Sequence, residues 1–283
     1  IKFISSFFVS YRKSKSIIKS FKPDAVLGMG GFTSLPPLLA GRSYKTKNFI
    51  HESNAFPGKA NRVASRWADH ILLGMESCGS FFKDKNFEVV GTPLRSVLRE
   101  QHEKTEALQK YGLHPDKGAQ ALNSSIIQNL EKIYKAGIQL LHITGPVDFD
   151  RVKLHYEKIP NFSCVIPFCN EMHLAYSISD LAIVRSGASS LAEISAYAIP
   201  SILVPYPFAT DDHQTLNANH YVKNGAAFLL PENKLNANSL FEILDQLFEE
   251  NNQKYKKMKS SMQSLSVIDS AERICEKINN YCN

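Results

Sequence analysis

Residues 179–193 read SDLAIVRSGASSLAE, and this stretch decides the fold class. The apolar run at 181–184 predicts a buried strand, the small residues after it predict a tight turn, and a helix is expected to begin near Ser190. Similar strand and helix signals alternate along the chain from Asp24 onward. Because a repeated βαβ rhythm is typical of parallel sheets covered by helices, we predict an α/β protein with two Rossmann-like, doubly wound domains.

The predicted strands fall into two series, at 25–27, 48–51, 71–73 and 88–90, then at 139–143, 163–166, 181–184, 201–204 and 227–229. Helices are expected to begin near Thr33, Lys59 and Ser77, and a long polar helix is expected over 239–262. We predict a first domain over 1–95, a linker over 96–117, a second domain over 118–262 and a C-terminal helix over 263–283. A helix opens at Gly118 without a preceding strand, so either a strand is missing there or the connection is unusually short.

Composition narrows the class of protein. The 283 residues are 43% hydrophobic and 21% charged, values typical of globular domains, and the five cysteines form no CxxC pair. Neither a disulfide framework nor a metal site is therefore expected.

The formal charge of +6 favours an anionic partner and does not point to nucleic acid. No apolar run is long enough to span a bilayer, and the first residue, Ile1, indicates a fragment.

Two interpretations of Glu193 stay open at this stage. A helix that starts after the 185–189 turn offers unpaired N–H groups and a partial positive charge, which suit a diphosphate. Glu193 lies one turn into that helix and could accept hydrogen bonds from two ribose hydroxyls. Alternatively, Ser190 and Glu193 have the spacing of a capping box, in which the glutamate only satisfies a backbone donor.

A second polar loop, 205–219, reads PYPFATDDHQTLNAN and follows a predicted strand. Its polar residues should lie at the carboxyl edge of the sheet, where open α/β folds bind ligands. Asp212, His213 and Gln214 could together recognise sugar hydroxyls. The alternative is an aspartate N-cap followed by a solvated helix face.

Two loops of the first half have a comparable position. Residues 28–34 read GMGGFTS, a partial glycine fingerprint whose Gly28, Gly30 and Gly31 serve either turn geometry or close approach of a ligand. Residues 51–62 read HESNAFPGKANR and bring a histidine, a glutamate and two asparagines to a strand end. Polar strand-end loops in both halves suggest a ligand cleft between two domains.

Four segments, 28–36, 51–62, 91–95 and 185–219, resemble in sequence and order those of the N-acetylglucosaminyltransferases that make lipid II, the MurG family. This resemblance covers nearly the whole chain. It implies the GT-B arrangement of two Rossmann-like domains. It also implies that UDP-N-acetylglucosamine is held mainly by the second domain and that the acceptor, lipid I, enters from the first.

The resemblance also assigns candidate residues. Glu193 is similar to the ribose-binding glutamate, and Gln214, with His213 beside it, to the residues that contact the sugar hydroxyls. The remaining donor-site candidates are Asn54, Arg95, Gly187, Ala188, Ser189, Ser190, Leu191 and Ala192. Gly118 and Ala119 resemble the end of a glycine-rich loop whose earlier residues are not in this sequence. The family's GGTGGH segment, with its proposed basic histidine, is not in the sequence either, which leaves His51 and His213 as weak candidates for the base.

The activity implied by the resemblance is an inverting transfer of N-acetylglucosamine to the muramoyl 4-hydroxyl of lipid I, without a cofactor, for peptidoglycan synthesis. Rival interpretations are a UDP-sugar 2-epimerase, another lipid glycosyltransferase or a non-catalytic nucleotide-sugar binder.

The first predicted helix has apolar residues at helical spacing, with six basic residues nearby, at Ile4, Phe7, Phe8 and Tyr11. They predict peripheral contact with an anionic membrane, which the family would make at the cytoplasmic face of the bacterial inner membrane. Alternatively, this stripe packs against a sheet.

Overall fold

The computed structural model describes residues 2–99, 120–159, 163–248 and 252–282. It divides into two compact units, the first formed by Ile1–Leu94 with Val267–Asn283 and the second by Arg95–Ser266. The described part of the chain contains no helix long and apolar enough to cross a membrane. Gly118, Ala119 and most of the predicted linker, including the point where a strand was inferred to be missing, lie outside the described residues.

The first unit contains one parallel sheet in the order β1-β2-β3-β4 among the described residues. Its strands are β1 (Ala25–Gly28), β2 (Lys47–Glu52), β3 (His70–Leu73) and β4 (Phe87–Val89). Its helices are α1 (Lys2–Phe21), α2 (Leu35–Ser43) and α3 (Lys59–Ala64). Where a helix was expected near Ser77, the chain forms a 3₁₀ helix, Glu76–Phe81.

Apolar side chains point alternately to the two faces of the sheet along β2 and β3, so both faces are buried. Ile50, Ile71 and Leu73 pack in a core with Leu38 of α2. Phe49 and Leu72 point to the other face, as expected for a period of two. Parallel sheets are normally covered on both sides, and this pattern satisfies that requirement.

The described residues of the second unit include α4 (Gln120–Lys135) and two parallel groups of strands. The first group pairs β5 (Leu141–Ile143) with β6 (Cys164–Ile166), and the second has the order β7 (Ala182–Val184), β8 (Ser201–Leu203), β9 (Ala227–Leu229). The intervening helices are α5 (Phe149–Tyr156), α6 (Met172–Ile178), α7 (Ala188–Ala196) and α8 (His213–Lys223). The α/β class and the position of each predicted strand are confirmed.

Two helices differ from their predicted bounds. α7 begins at Ala188 rather than near Ser190. The single helix expected over 239–262 is two helices, α9 (Ala237–Phe248) and α10 (Gln253–Ser264). Asn252, at the N-cap of α10, has a φ of 60°, a left-handed conformation that a continuous helix cannot contain and that asparagine adopts more readily than most residues.

The last helix, α11 (Ser270–Cys282), packs on the first unit. Its Ile274 joins Phe49, Leu72 and Val90 in one cluster. The C-terminal residues therefore complete the core of the N-terminal sheet, across more than 180 intervening residues.

Candidate functional site

Arg185 joins the three strand ends of the β7-β8-β9 sheet. Its guanidinium donates to the carbonyl oxygens of Val204 and Pro205 at 3.2 and 3.1 Å, and it forms an ion pair with Glu232, which follows β9. Its charge also lies over the ring of Tyr206, 5.6 Å from the centroid. Arg185 was not predicted as a site residue, yet it holds together the loops in which the predicted residues lie.

Ser186 connects the turn after β7 to the start of α8. It is fully buried, and its Oγ donates to the backbone carbonyl of Gln214 at 2.8 Å. In return the side-chain amide of Asn217 donates to the carbonyl of Ser186 at 3.0 Å. The predicted nucleotide turn and the predicted sugar-binding loop are therefore brought together at one edge of one sheet.

The start of α7 is open where a ligand could approach. Gly187 is its N-cap, with an extended backbone and no side-chain cap. A Cβ built on Gly187 would meet no atom within 4 Å. The N–H groups of Ala188, Ser189 and Ser190 have no acceptor one turn earlier within the helix, so they are available donors with the positive end of the helix dipole behind them.

The candidate residues at the start of α7 differ in how far their side chains are buried. Ser189 is exposed, whereas Leu191 is fully buried in the core, so Leu191 could reach a ligand only through its backbone. Ala188 is buried, and Ser190 and Ala192 are half-buried.

Glu193 does not form a capping box, so that alternative was wrong. α7 begins two residues earlier than expected, which places both Ser190 and Glu193 inside the helix. The Glu193 carboxylate instead accepts hydrogen bonds from two distant side chains. Arg95 donates to Oε1 at 3.1 Å and the hydroxyl of Tyr176 donates to Oε2 at 3.0 Å.

Gln214 and His213 lie at the first turn of α8. The Gln214 Oε1 accepts the backbone N–H of Tyr206 at 2.9 Å, which fixes the amide with its NH₂ group as the remaining donor. His213 is half-buried and its Nδ1 lies 2.7 Å from the carbonyl oxygen of Thr210. Because a carbonyl only accepts, Nδ1 carries a proton, and in the neutral ring the lone pair is on Nε2.

The alternative in which Asp212 is the N-cap of the following helix is only partly supported. Asp212 occupies the N-cap position of α8, but with a left-handed φ of 51° and no side-chain cap to the helix backbone. Its Oδ1 accepts instead from the hydroxyl of Thr215 at 2.7 Å.

In the first unit, Glu52 is the centre of the loop after β2. Its buried carboxylate accepts from the backbone and side-chain nitrogens of Asn54, at 3.0 and 2.9 Å, and from Gly58 N and Asn61 Nδ2, both at 2.9 Å. Four donors satisfy the buried charge. Glu52 and Asn61 therefore shape the loop, and Asn54 is positioned by Glu52.

His51 is fully buried in this unit. Its Nε2 donates to the carbonyl of Gly91 at 2.8 Å and its Nδ1 lies 3.4 Å from the Ser53 hydroxyl. Burial lowers the pKa of His51, so the ring is neutral at physiological pH. A buried imidazole with both nitrogens engaged offers no atom to a substrate hydroxyl in this conformation.

Backbone geometry and packing explain the glycines at the end of β1 and in the turn after it. A Cβ on Gly28 would lie 2.6 Å from a methyl group of Leu38. Gly30 and Gly31 have φ values of 87° and 73°, which favour glycine. The turn therefore requires glycine whether or not a ligand approaches it.

Both halves of the chain match family models. The Glycosyltransferase family 28 N-terminal domain matches residues 1–73, and the Glycosyltransferase family 28 C-terminal domain matches residues 117–274. The structure is similar to that of Acinetobacter baumannii MurG, with a TM-score of 0.76 at 24% identity over 95% of this chain and 77% of that one. A putative UDP-N-acetylglucosamine 2-epimerase from Listeria monocytogenes gives a TM-score of 0.70 at 13% identity, over 97% and 79% of the chains. Likenesses at these identities show a shared fold.

Curated relatives are more similar in sequence. Proteins named UDP-N-acetylglucosamine–N-acetylmuramyl-(pentapeptide) pyrophosphoryl-undecaprenol N-acetylglucosamine transferase from Geobacter sulfurreducens and Shewanella frigidimarina are 33% and 36% identical. The matches cover 97% and 93% of this chain, and 78% and 74% of the relatives.

Two parallel α/β units that match the two domain models of glycosyltransferase family 28 define a glycosyltransferase fold of the GT-B class. The chain belongs to glycosyltransferase family 28 and, within it, to the family of these N-acetylglucosamine transferases.

Proposed function

We propose that this protein transfers N-acetylglucosamine from UDP-N-acetylglucosamine to the muramoyl 4-hydroxyl of lipid I, giving lipid II and UDP. In this proposal residues 118–262 bind the donor and residues 1–95 receive the acceptor. Membership of the family supports the reaction, because its relatives carry this activity in their names.

The observation that carries the donor site is the position of the Glu193 carboxylate. It lies on α7, the helix whose first N–H groups are open, and it takes no part in capping that helix. A carboxylate there can accept from the two ribose hydroxyls while the helix start receives the diphosphate. The free NH₂ of Gln214, held at the same sheet edge through Ser186, can donate to the sugar. Asn54 and Arg95 are proposed as further donor contacts.

The proposed reaction is one inverting displacement. The muramoyl oxygen forms a bond to the anomeric carbon, the bond from that carbon to the diphosphate oxygen breaks, and UDP leaves. Charge builds on the leaving diphosphate, and preorganised N–H groups at the start of α7 stabilise that charge. A base must take the hydroxyl proton. Of the two histidines, His213 is the better candidate, because its Nδ1 makes the hydrogen bond to Thr210 and leaves Nε2 as the nitrogen that can take a proton, and because its ring is half-buried rather than enclosed.

We also propose that α1 binds the anionic cytoplasmic face of the bacterial inner membrane. The predicted stripe is divided: Phe7 packs on the core of the first unit, whereas Ile4 and Phe8 are 61% and 58% exposed. Val9 and Phe21 are also exposed, and so are Arg12, Lys13 and Lys19. An exposed apolar and basic surface suits an anionic interface. Sedimentation with phosphatidylglycerol vesicles should exceed that with phosphatidylcholine vesicles, and equal binding to both would contradict the proposal.

The reaction is tested by incubating the protein with UDP-N-acetylglucosamine and lipid I. We expect UDP and disaccharide lipid in equal amounts. Conversion of the donor to an epimerised UDP-sugar without UDP release would contradict the proposed function.

The donor site is tested with Glu193→Gln. The neutral amide is a poorer acceptor for two hydroxyls, so KM for UDP-N-acetylglucosamine should rise about tenfold. Glu131→Gln removes the same charge from an exposed face of α4 and should leave KM unchanged. Equal KM values for the two variants would exclude Glu193 from the donor site.

A further inference from the structure

The two oxygens of the Glu193 carboxylate have partners of different kinds. Oε1 faces Arg95, whose side chain is 54% exposed, at 3.1 Å. Oε2 faces the hydroxyl of Tyr176 at 3.0 Å, and Tyr176 is only 8% exposed. An exposed ion pair contributes little to holding a side chain in one geometry, whereas a buried hydroxyl donating to a carboxylate contributes more.

Tyr176 is itself held in place. It belongs to α6, where its neighbours Leu174 and Ala175 are also buried, and its ring lies 5.6 Å from that of Tyr197 at the C-cap of α7. Burial raises the pKa of Tyr176, and the charge of Glu193 raises it further. The phenol is therefore protonated, and remains a donor, throughout the range in which proteins are folded.

Hydrogen-bond capacity at the carboxylate leaves room for a diol. A carboxylate has about four acceptor positions, two on each oxygen. Tyr176 and Arg95 use one position each, on different oxygens. One position remains on each oxygen, which is the pattern that two adjacent hydroxyl groups require.

We propose that Tyr176 is a positioning residue for nucleotide recognition: its hydroxyl fixes Oε2 of Glu193, so that the carboxylate presents one defined edge to the 2′- and 3′-hydroxyls of the donor ribose. This inference rests on the proposed function, in which Glu193 receives the ribose. Without the Tyr176 hydroxyl the carboxylate can rotate, and ribose binding must then restrict that rotation.

The test compares two ligands on one variant. Tyr176→Phe keeps the ring and removes the hydroxyl. Isothermal titration should show affinity for UDP falling about tenfold, whereas affinity for 2′,3′-dideoxy-UDP, which lacks both hydroxyls, should change less than twofold. In turnover, KM for UDP-N-acetylglucosamine should rise while kcat stays within twofold. An equal loss for both ligands, or no loss for UDP, would overturn the inference.

A matched control is available on α8. Tyr221 is buried and its hydroxyl is hydrogen-bonded to Ser195 of α7. Tyr221→Phe therefore removes a buried phenol hydroxyl next to α7 without touching Glu193. It should lower the thermal midpoint about as much as Tyr176→Phe does, with unchanged affinity for UDP.

The double variant separates this inference from the proposed function. Adding Tyr176→Phe to Glu193→Gln should weaken UDP binding by less than twofold beyond Glu193→Gln alone, because the hydroxyl acts through the carboxylate. If Glu193→Gln itself leaves UDP affinity unchanged, the proposed donor site fails. If Glu193→Gln weakens UDP binding selectively and Tyr176→Phe does not, only the role of Tyr176 fails.

Discussion

The structural reason for glycine differs from one position to another in this protein. A Cβ on Gly74 would lie 2.4 Å from Thr92 Oγ1 and 2.9 Å from the backbone of Ser53, and one on Gly91 would lie 2.5 Å from Val267. Packing therefore requires glycine at both positions. Gly187 has an ordinary φ of −70° and open space around its Cβ position. The fold itself therefore does not require glycine at position 187. A glycine with no structural reason is expected where a ligand approaches the backbone closely.

Gly187→Ala should therefore separate binding from stability. Alanine is a poorer N-cap than glycine, but it restricts the unfolded chain, so the free energy of unfolding should change by less than about 0.5 kcal/mol. The added methyl group should weaken UDP binding at least about fivefold by obstructing the helix start. Calorimetry and thermal unfolding measure the two effects. Unchanged UDP affinity would show that the ligand does not pass close to this backbone.

Among the elements, α11 has a clear structural role. It covers the face of the first sheet that carries Phe49 and Leu72, and its Tyr281 ring lies 4.4 Å from that of His70. Lys277 and His70 both contact the carboxylate of Glu88 on β4. Partial burial opposes ionisation of Glu88, but the hydrogen bonds and charges of Lys277 and His70 lower its pKa below the usual value.

Ile274→Ala should destabilise the first unit. The side chain is 4% exposed, and truncating a buried isoleucine costs about 2–4 kcal/mol of unfolding free energy. Hydrogen exchange should accelerate in β2 and β3 and not in β7 and β8, since α11 packs on the first sheet. Cys275→Ala, on the exposed side of the same helix, should stay within about 0.5 kcal/mol of wild type. Equal effects of the two substitutions would contradict this role for α11.

At the scale of the whole molecule, stability should depend on a buried polar network in the second unit. His142 lies 3.0 Å from Asn123 Oδ1 through Nε2 and 2.9 Å from the Tyr156 hydroxyl through Nδ1. Asn123 in turn donates to Asp148 at 2.8 Å. A neutral ring satisfies this chain, because Nε2 donates and Nδ1 accepts. Burial lowers the pKa of His142 to about 4.

The direction of the pH dependence follows. The unfolded chain binds a proton at His142 near its ordinary pKa of 6.5, whereas the folded protein binds it only near 4. Stability is therefore fully present above about pH 6.5 and is lost as pH falls towards 4. His51, whose pKa burial also lowers, acts in the same direction.

Urea unfolding at pH 7.5 and pH 5.0 measures this effect. His142 should account for about 2 kcal/mol of the difference in unfolding free energy. His142→Gln should be less stable at pH 7.5 and should show a correspondingly smaller loss on going to pH 5.0. An unchanged pH dependence in this variant would exclude His142 as its source.

Local signals in the sequence determined the strands, most helices and the family. Apolar runs such as 181–184 and 71–73 are short-range patterns, and the turns after them contain the residues that such turns need. The same signals placed Glu193 and Gln214 in segments that follow two neighbouring strands of one sheet, because parallel strands bring their carboxyl ends to one edge.

Only the tertiary structure decided the partners of those side chains. Glu193 is bound by Tyr176, 17 residues away, and by Arg95, 98 residues away, and spacing alone equally allowed a capping box. Burial of His51 and the docking of α11 on the first sheet likewise depend on distant segments. Periodicity determines which face or edge a residue occupies, but a hydrogen bond near 3 Å depends on how separate elements pack.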